Sequence, residues 1–160
     1  MQRIVTNLWF DTEAEEAAEF YISIFKDSRI VHVARYTEAG PRPAGMVMTV
    51  EFELDGQRFI GINGGPEFKF DEAISLMINC ETQDEIDYYW ERLTEGGEES
   101  QCGWLKDRYG LSWQVVPTGM DEVFSDPDPE RARRAMEALL KMRKLDIAAL
   151  RSAADGVQTA

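Results

Sequence analysis

The sequence comprises 160 residues, of which 44% are hydrophobic and 11% aromatic, enough for the core of one domain or of two small modules. Its formal net charge of −13 argues against binding to nucleic acids or anionic lipids, because both partners require clustered Lys and Arg. The two cysteines, Cys80 and Cys102, form no CxxC motif, and there is neither a signal-peptide-like start nor a run of about 18 apolar residues, so we expect a cytoplasmic protein without a membrane segment.

The first half of the chain combines strand-like alternation with one helical segment. Side-chain periodicity predicts a strand at 3–10, a helix at 13–25 and further strands at 29–37, 46–54 and 58–63. Thr12, with Glu15 three positions later, resembles a capping box at the start of the helix. Asp55-Gly56 is a typical tight hairpin turn between two strands.

The second half repeats this order of elements. The pattern predicts a strand at 73–80, a helix at 82–94, one or two strands within 98–106 and a last strand at 111–116. Thr82 and Glu85 form a second capping-box pattern, and Gly96-Gly97 ends the helix. Each half therefore predicts one β-α-β-β-β module.

The C-terminal segment differs from both modules. Residues 130–144 predict an amphipathic helix, and residues 146–154 predict a further helical turn or two. The apolar face of the helix packs either on the chain's own sheet or on a second subunit. We therefore divide the chain into one domain at 1–126, with modules at 1–66 and 67–126, and a helical extension at 127–160.

Three segments carry a resemblance to a known family. These are Asn7-Leu8-Trp9-Phe10 with the helix start after it, Ile62-Asn63-Gly64-Gly65-Pro66, and the run from Gln101 to Pro117, which reads QCGWLKDRYGLSWQVVP. Together with 142–147 they resemble the PhnB-like branch of the vicinal oxygen chelate (glyoxalase/bleomycin resistance/dioxygenase) superfamily, a branch often labelled 3-demethylubiquinone-9 3-methyltransferase. The resemblance covers about residues 3–152.

The resemblance implies an α+β fold in which two βαβββ modules form curved mixed sheets around a ligand-binding cup. It also implies a homodimer. Metal-dependent members of the superfamily hold one divalent ion with His and Glu side chains on inward-facing strand positions.

The positions that match those metal ligands carry uncharged side chains here. They fall on Thr6, Ser75 and Gln114, while the fourth strand, Phe59–Asn63, offers no His, Cys or carboxylate. Hydroxyl and amide oxygens bind divalent transition metals poorly, and the one histidine, His32, is more typical of a surface or half-buried position. We therefore predict no metal and no cofactor.

Alternation along the strands gives a set of pocket candidates, since every second side chain shares a face. The face that includes Thr6, Ser75 and Gln114 mixes polar and apolar residues, which suits an amphipathic organic ligand or, alternatively, a cross-strand hydrogen-bond network with water. The candidates are Thr6, Leu8, Phe10, Asn63, Ser75, Met77, Asn79, Cys102, Trp104, Ser112 and Gln114. Ile74, Leu76, Ile78, Cys80, Leu111, Trp113 and Val115 are expected under the helices, and Lys106-Asp107-Arg108 at a solvated hairpin tip.

These patterns favour a metal-independent protein that binds an amphipathic small molecule in the cup between the modules. An enzyme of unknown reaction in the same cup is the alternative, although the inward-facing set contains no carboxylate and Cys102 has no neighbouring base in the sequence. The methyltransferase label fits poorly, because Gly64-Gly65-Pro66 leads into no helix of the kind that follows a nucleotide-binding turn. We expect a homodimer that binds neither nucleic acid nor membranes.

Overall fold

The computed structural model describes residues 2–157 and divides into two compact units, Met1–Phe70 and Asp71–Ala160. The division lies close to the predicted module boundary at 66/67, and the C-terminal helices belong to the second unit. Within residues 2–157, no helix has both the length and the apolar character that a bilayer crossing requires.

The first unit is a four-stranded mixed sheet with one helix. Its elements are β1 (Thr6–Phe10), α1 (Ala14–Ile24), β2 (Arg29–Arg35), β3 (Val47–Leu54) and β4 (Gln57–Asn63). The strand order is β1-β4-β3-β2, with β1 parallel to β4 and the other two pairs antiparallel. Asp55 and Gly56 have φ values of 51° and 77°, which confirms the predicted tight turn between β3 and β4.

Helix α1 covers one face of this sheet. Its small buried residues, among them Ala17 and Ala18, allow close approach, while Tyr21 contributes an aromatic ring to the core. The Tyr21 and Phe52 rings are stacked with centroids 6.2 Å apart, and Phe52 stacks on Phe59 at 5.6 Å. Because Phe52 is almost fully buried, truncation to Ala would cost about 3–5 kcal/mol.

The second unit repeats the architecture of the first. Its elements are β5 (Ser75–Cys80), α2 (Gln83–Thr94), β6 (Glu98–Glu99), β7 (Trp104–Lys106) and β8 (Ser112–Pro117). The strand order is β5-β8-β7-β6, with β5 parallel to β8. The order β-α-β-β-β in both units confirms the predicted α+β fold.

Helix α2 begins where the sequence predicts it. The Thr82 hydroxyl oxygen accepts a hydrogen bond from the Glu85 N–H at 3.2 Å, which satisfies one of the free donors at the helix start. The buried face of α2, with Ile86, Trp90 and Leu93, packs on β7 and β8, where Leu105 and Val115 are buried.

The C-terminal segment forms three helices: α3 (Met120–Phe124), α4 (Pro129–Leu139) and α5 (Ile147–Ala154). Helix α5 confirms the turns predicted at 146–154, whereas α3 was not predicted. Helix α4 starts at Pro129 behind the cap Asp128 and ends well before residue 144. Val116, Leu139, Leu145 and Leu150 form a buried cluster, so the tail packs on the end of β8 within its own unit. The Gln83 side chain holds the α4–α5 connection by donating to the Leu145 carbonyl and accepting from the Ile147 N–H, both at 2.9 Å.

Candidate functional site

The strand register of the second sheet places the polar candidates on one face. Ser75 lies opposite Ser112 and Met77 opposite Gln114 in the β5–β8 pair, while Trp104 lies opposite Gln114 in the β7–β8 pair. The alternating residues Leu105, Trp113 and Val115 are buried on the α2 side. We call the face opposite α2 the open face of the second sheet. Ser75, Met77, Asn79, Trp104, Ser112 and Gln114 therefore share this face, as the alternation predicts.

The open face of the second sheet contains a cavity of about 160 Å³. Trp104, Lys106 and Ser112 line it from β7 and β8, and Glu72, Glu98 and Ser100 line it from the neighbouring segments. An indole ring, an ammonium group, hydroxyls and carboxylates thus surround one small volume. Sequence patterns had singled out only Trp104 and Ser112 among these residues.

Ser112 is the unusual member of the cavity wall. The residue has no exposed surface, and its hydroxyl has no hydrogen-bond partner among residues 2–157. A buried polar group left unsatisfied costs about 1–3 kcal/mol, and native proteins tolerate few such groups. Ser112 lines the cavity, and its hydroxyl has unused capacity both to donate and to accept a hydrogen bond.

Charge pairing holds Lys106 in place beside Ser112. Its ammonium group forms an ion pair with the Glu72 carboxylate, which raises the pKa of Lys106 and lowers the pKa of Glu72. Glu98 lies opposite Lys106 in the β6–β7 pair and adds to the rise in the lysine pKa. Lys106 and Glu72 are thus both charged near neutral pH.

The two metal-ligand positions in the second unit do not fit a metal. Gln114 donates its side-chain amide N–H to the Ser75 hydroxyl oxygen at 2.8 Å, so these positions carry a carboxamide and a hydroxyl bonded to each other. Divalent transition metals prefer imidazole, thiolate or carboxylate ligands. In the part of the chain that the structure describes, no three His, Cys, Asp or Glu side chains are grouped so that they could hold an ion.

The pocket candidates on β1 face the helix side of the first sheet, opposite to the predicted direction. Leu8 lies beside Gly61 in the parallel β1–β4 pair, and a Cβ atom on Gly61 would be 3.2 Å from Ala14 Cβ and 3.6 Å from Phe10 Cε2. Thr6, Leu8 and Phe10 therefore face α1, and the last two are core residues. The opposite face of β1 carries Asn7 and Trp9.

Asn63 is a structural residue in this arrangement. Its side-chain oxygen accepts a hydrogen bond from the Ala14 N–H at 2.9 Å, and its side-chain N–H donates to the Val47 carbonyl at 3.0 Å. The predicted cap Thr12 makes no such bond, so Asn63 satisfies the start of α1 from across the sheet. The Tyr36 hydroxyl also donates to the Asn63 backbone carbonyl at 2.6 Å.

Cys102 lies in the turn between β6 and β7, out of the strand phase that we predicted. Its φ is 60°, its backbone N–H donates to the Met142 carbonyl, and its side chain packs against the C-terminal cluster around Leu145. The prediction for Cys80 is correct in placing it under the helix, where burial raises the pKa of its thiol to about 12. The same prediction is wrong for Ile74, which is 71% exposed.

Asp107 is buried, although the sequence predicts a solvated hairpin tip there. Its carboxylate accepts hydrogen bonds from the backbone N–H groups of Tyr109 and Leu111 and, at 2.9 Å, from the indole N–H of Trp113. This network fixes the β7–β8 turn and thereby positions Lys106 and Ser112 on the open face. The sequence feature that could have indicated this network is the carboxylate of Asp107 six positions before Trp113.

Gly64 and Gly65, in the glycine segment 64–66, accommodate the side chain of Trp9. The Trp9 indole N–H donates to the Gly65 carbonyl at 2.9 Å, and a Cβ atom on Gly64 would lie only 2.2 Å from the Trp9 ring. No helix follows before α2, so the segment differs from a nucleotide-binding turn that opens a helix.

Comparison with known proteins identifies relatives of this arrangement. The sequence model of the family described as 3-demethylubiquinone-9 3-methyltransferase matches residues 2–116. The solved structure of the PhnB protein from Bacillus cereus, given the same methyltransferase description, is 40% identical. It covers 73% of this chain and 100% of its own, with a TM-score of 0.67. The helices α3–α5 lie beyond the matched family segment.

Two more distant structures share the fold. A Pseudomonas aeruginosa protein is 19% identical over 73% of this chain and 98% of its own, with a TM-score of 0.60. The fosfomycin resistance protein FosX from Listeria monocytogenes, complexed with Mn(II) and sulfate, is 12% identical over 78% of this chain and 95% of its own, with a TM-score of 0.55. The search of curated proteins found no match.

Proposed function

Because this chain belongs to the 3-demethylubiquinone-9 3-methyltransferase (PhnB-like) family of the vicinal oxygen chelate superfamily, we propose that it is a metal-independent protein that binds an amphipathic small molecule on the open face of the second sheet. The observation that carries this proposal is the buried hydroxyl of Ser112, which lines a cavity and has no partner among residues 2–157. A ligand atom that hydrogen bonds to this hydroxyl would remove the cost of its burial.

The composition of the cavity supports an organic ligand. Trp104 offers a flat apolar surface beside Ser112, Lys106 and the carboxylates, and pockets for organic molecules combine such surfaces with a few placed polar groups. The volume of about 160 Å³ is smaller than the roughly 300–1,000 Å³ typical of drug-sized ligands. The bound part of the ligand is therefore small.

The chemistry of the available donors supports the proposed metal independence. FosX was solved with Mn(II), whereas Ser75 and Gln114 of this chain use their hydroxyl and amide groups to bind each other. Neither group carries the negative charge or the imidazole nitrogen that holds such an ion strongly.

Binding is better supported than acid–base catalysis. A general acid at neutral pH needs a carboxyl group with a raised pKa, but the pKa of Glu72 is lowered by its hydrogen bond to Lys106. Cys102 packs in a turn against the C-terminal cluster and does not line the cavity.

The proposal is tested by binding measurements on metal-depleted protein. We expect chelator-treated protein to bind small aromatic compounds as well as untreated protein does, in a ligand-observed NMR screen with metal analysis of both samples. Trp104→Leu should weaken binding several-fold, whereas Tyr88→Leu, which changes an exposed aromatic residue on α2, should not. A stoichiometric divalent metal whose removal abolishes binding would refute metal independence, and equal binding by the Trp104 variant would refute the site.

We also propose the homodimer that the family resemblance implies. Met136 and Leu140, in α4 and directly after it, are 41% and 61% exposed, so apolar surface remains at this helix. Light scattering should give about twice the 18.3 kDa chain mass. A monomer mass at micromolar concentration would contradict this proposal.

A further inference from the structure

We infer that the cavity on the open face of the second sheet selects an organic cation, an amine joined to a flat apolar group. This inference rests on the proposed function, since it names the class of molecule that the same site takes. Its basis is the charge around the cavity, the hydroxyl of Ser112 and the position of Trp104.

The charges of the cavity wall do not cancel. Glu72 and Glu98 contribute carboxylates to it and Lys106 contributes one ammonium group, while Glu99 lies opposite the buried Leu105 and directs its carboxylate toward α2. Glu72 is paired with Lys106. Glu99 accepts a hydrogen bond from the Trp90 indole N–H at 2.8 Å and has Arg143 at 3.6 Å, so it is also compensated.

Glu98 is left as the excess negative charge. It is exposed and lies on the same face as Lys106, but within residues 2–157 it forms no ion pair of its own. The ammonium group of Lys106, which lies opposite Glu98 in the β6–β7 pair, is already held by Glu72. A ligand cation would therefore find one carboxylate without a direct partner.

The neutral groups of the cavity suit a cation equally well. The Ser112 oxygen has lone pairs that accept a hydrogen bond from an ammonium N–H, and the Trp104 indole attracts a cation placed over its ring. The net charge of −13 on the chain also raises the local concentration of cations.

The charges around the cavity disfavour an anionic ligand. Its carboxylate would have to displace Glu72 from Lys106 and would then lie near Glu98, with like-charge repulsion. The expected order of affinity is therefore cation, then neutral molecule, then anion.

Three matched probes test this order: phenethylamine, phenethyl alcohol and phenylacetate, which share one ring and differ in charge. We expect NMR titrations of the whole protein to show that phenethylamine binds about tenfold more tightly than phenylacetate, a difference of about 1.4 kcal/mol. The shifted signals should belong to Trp104, Lys106, Ser112 and their neighbours.

A charge variant isolates the role of Glu98. Glu98→Gln should weaken phenethylamine binding about threefold and leave the affinity for the alcohol unchanged, because an exposed charge contributes little beyond this. Glu91→Gln, on the exposed side of α2, is the matched control and should change neither affinity.

The outcomes separate this inference from the proposed function. Equal affinity for the amine and the alcohol, or tighter binding of phenylacetate, would overturn the cation preference while binding at the site still supports the proposed function. If none of the three probes shifts the signals of the cavity residues, both fail. Tighter amine binding that Glu98→Gln leaves unchanged would also overturn the inference.

Discussion

On the open face of the second sheet, the buried Ser112 hydroxyl has no partner within the described residues, whereas on the matching face of the first sheet an arginine pairs with two carboxylates. Opposite α1, Arg58 donates to Glu51 at 2.7 Å and to Glu53 at 3.1 Å. The Ser112 hydroxyl has no such partner among residues 2–157. The two modules thus share one topology but differ in unused hydrogen-bonding capacity. We place the ligand site in the second unit, where that capacity remains.

The same contrast exists between two buried polar side chains. Asn63 in the first unit uses its side-chain oxygen and its side-chain N–H on Ala14 and Val47, so its polarity stabilises the fold. In the described part of the chain, Ser112 of the second unit makes no side-chain hydrogen bond. Substitution of Asn63 should therefore mainly lower the stability of the fold, whereas substitution of Ser112 should mainly weaken ligand binding.

The largest effect is expected for Asn63→Ala. The change leaves the buried Ala14 N–H and the Val47 carbonyl without their partner, and we expect the free energy of unfolding in urea to fall by about 3 kcal/mol. Hydrogen exchange should increase at the start of α1. Asn79→Ala, at an exposed position of β5, is the control and should stay within about 0.5 kcal/mol of the parent. Equal losses in the two variants would contradict the structural role of Asn63.

A smaller loss, about 2 kcal/mol, is expected for Asp107→Asn. The amide retains one acceptor but presents N–H groups toward either the Trp113 indole N–H or the two backbone donors that Asp107 now satisfies. Asp84→Asn on the exposed side of α2 should cost under about 0.5 kcal/mol. If urea unfolding shows no difference between the variants, Asp107 does not anchor the β7–β8 turn.

The pH dependence of stability gives a third test in the second unit. Burial raises the pKa of the Cys80 thiol from 9.0 to about 12, so between these values the unfolded chain loses the proton that the folded protein retains. Stability contributed by the protonated thiol is full below pH 9 and falls by about 1 kcal/mol per pH unit above it. Cys80→Ala should remove this part of the slope. An unchanged slope in the variant would contradict the assignment.

The sequence predicts the strands and helices well because most of them have one polar and one apolar face or begin with a capping residue. On β5 and β8, polar and apolar residues alternate, and the predicted face is correct. On β1, both faces carry a large apolar residue, with Leu8 and Phe10 on one side and Trp9 on the other, so alternation does not reveal which side the helix covers.

The remaining features depend on contacts that are distant in sequence. The Lys106–Glu72 pair joins β7 to the segment before β5, and the Asn63 cap lies 49 positions from the helix start that it satisfies. The missing partner of Ser112 is a property of its surroundings, so no residue pattern reports it. In the C-terminal segment, Asp128 caps α4 and Asp146 caps α5, while Gln83 of α2 binds the connection between these two helices.

The most direct test of the account is to compare Ser112→Ala with Ser75→Ala in both urea unfolding and titration with phenethylamine. Ser112→Ala removes a hydroxyl without a partner, so the free energy of unfolding should stay unchanged or rise by up to about 1 kcal/mol while the affinity falls about fivefold. Ser75→Ala removes the acceptor of the Gln114 amide and should lower stability by about 1 kcal/mol. An unchanged affinity in Ser112→Ala, or a loss of stability as large as that of Ser75→Ala, would contradict a hydroxyl reserved for a ligand.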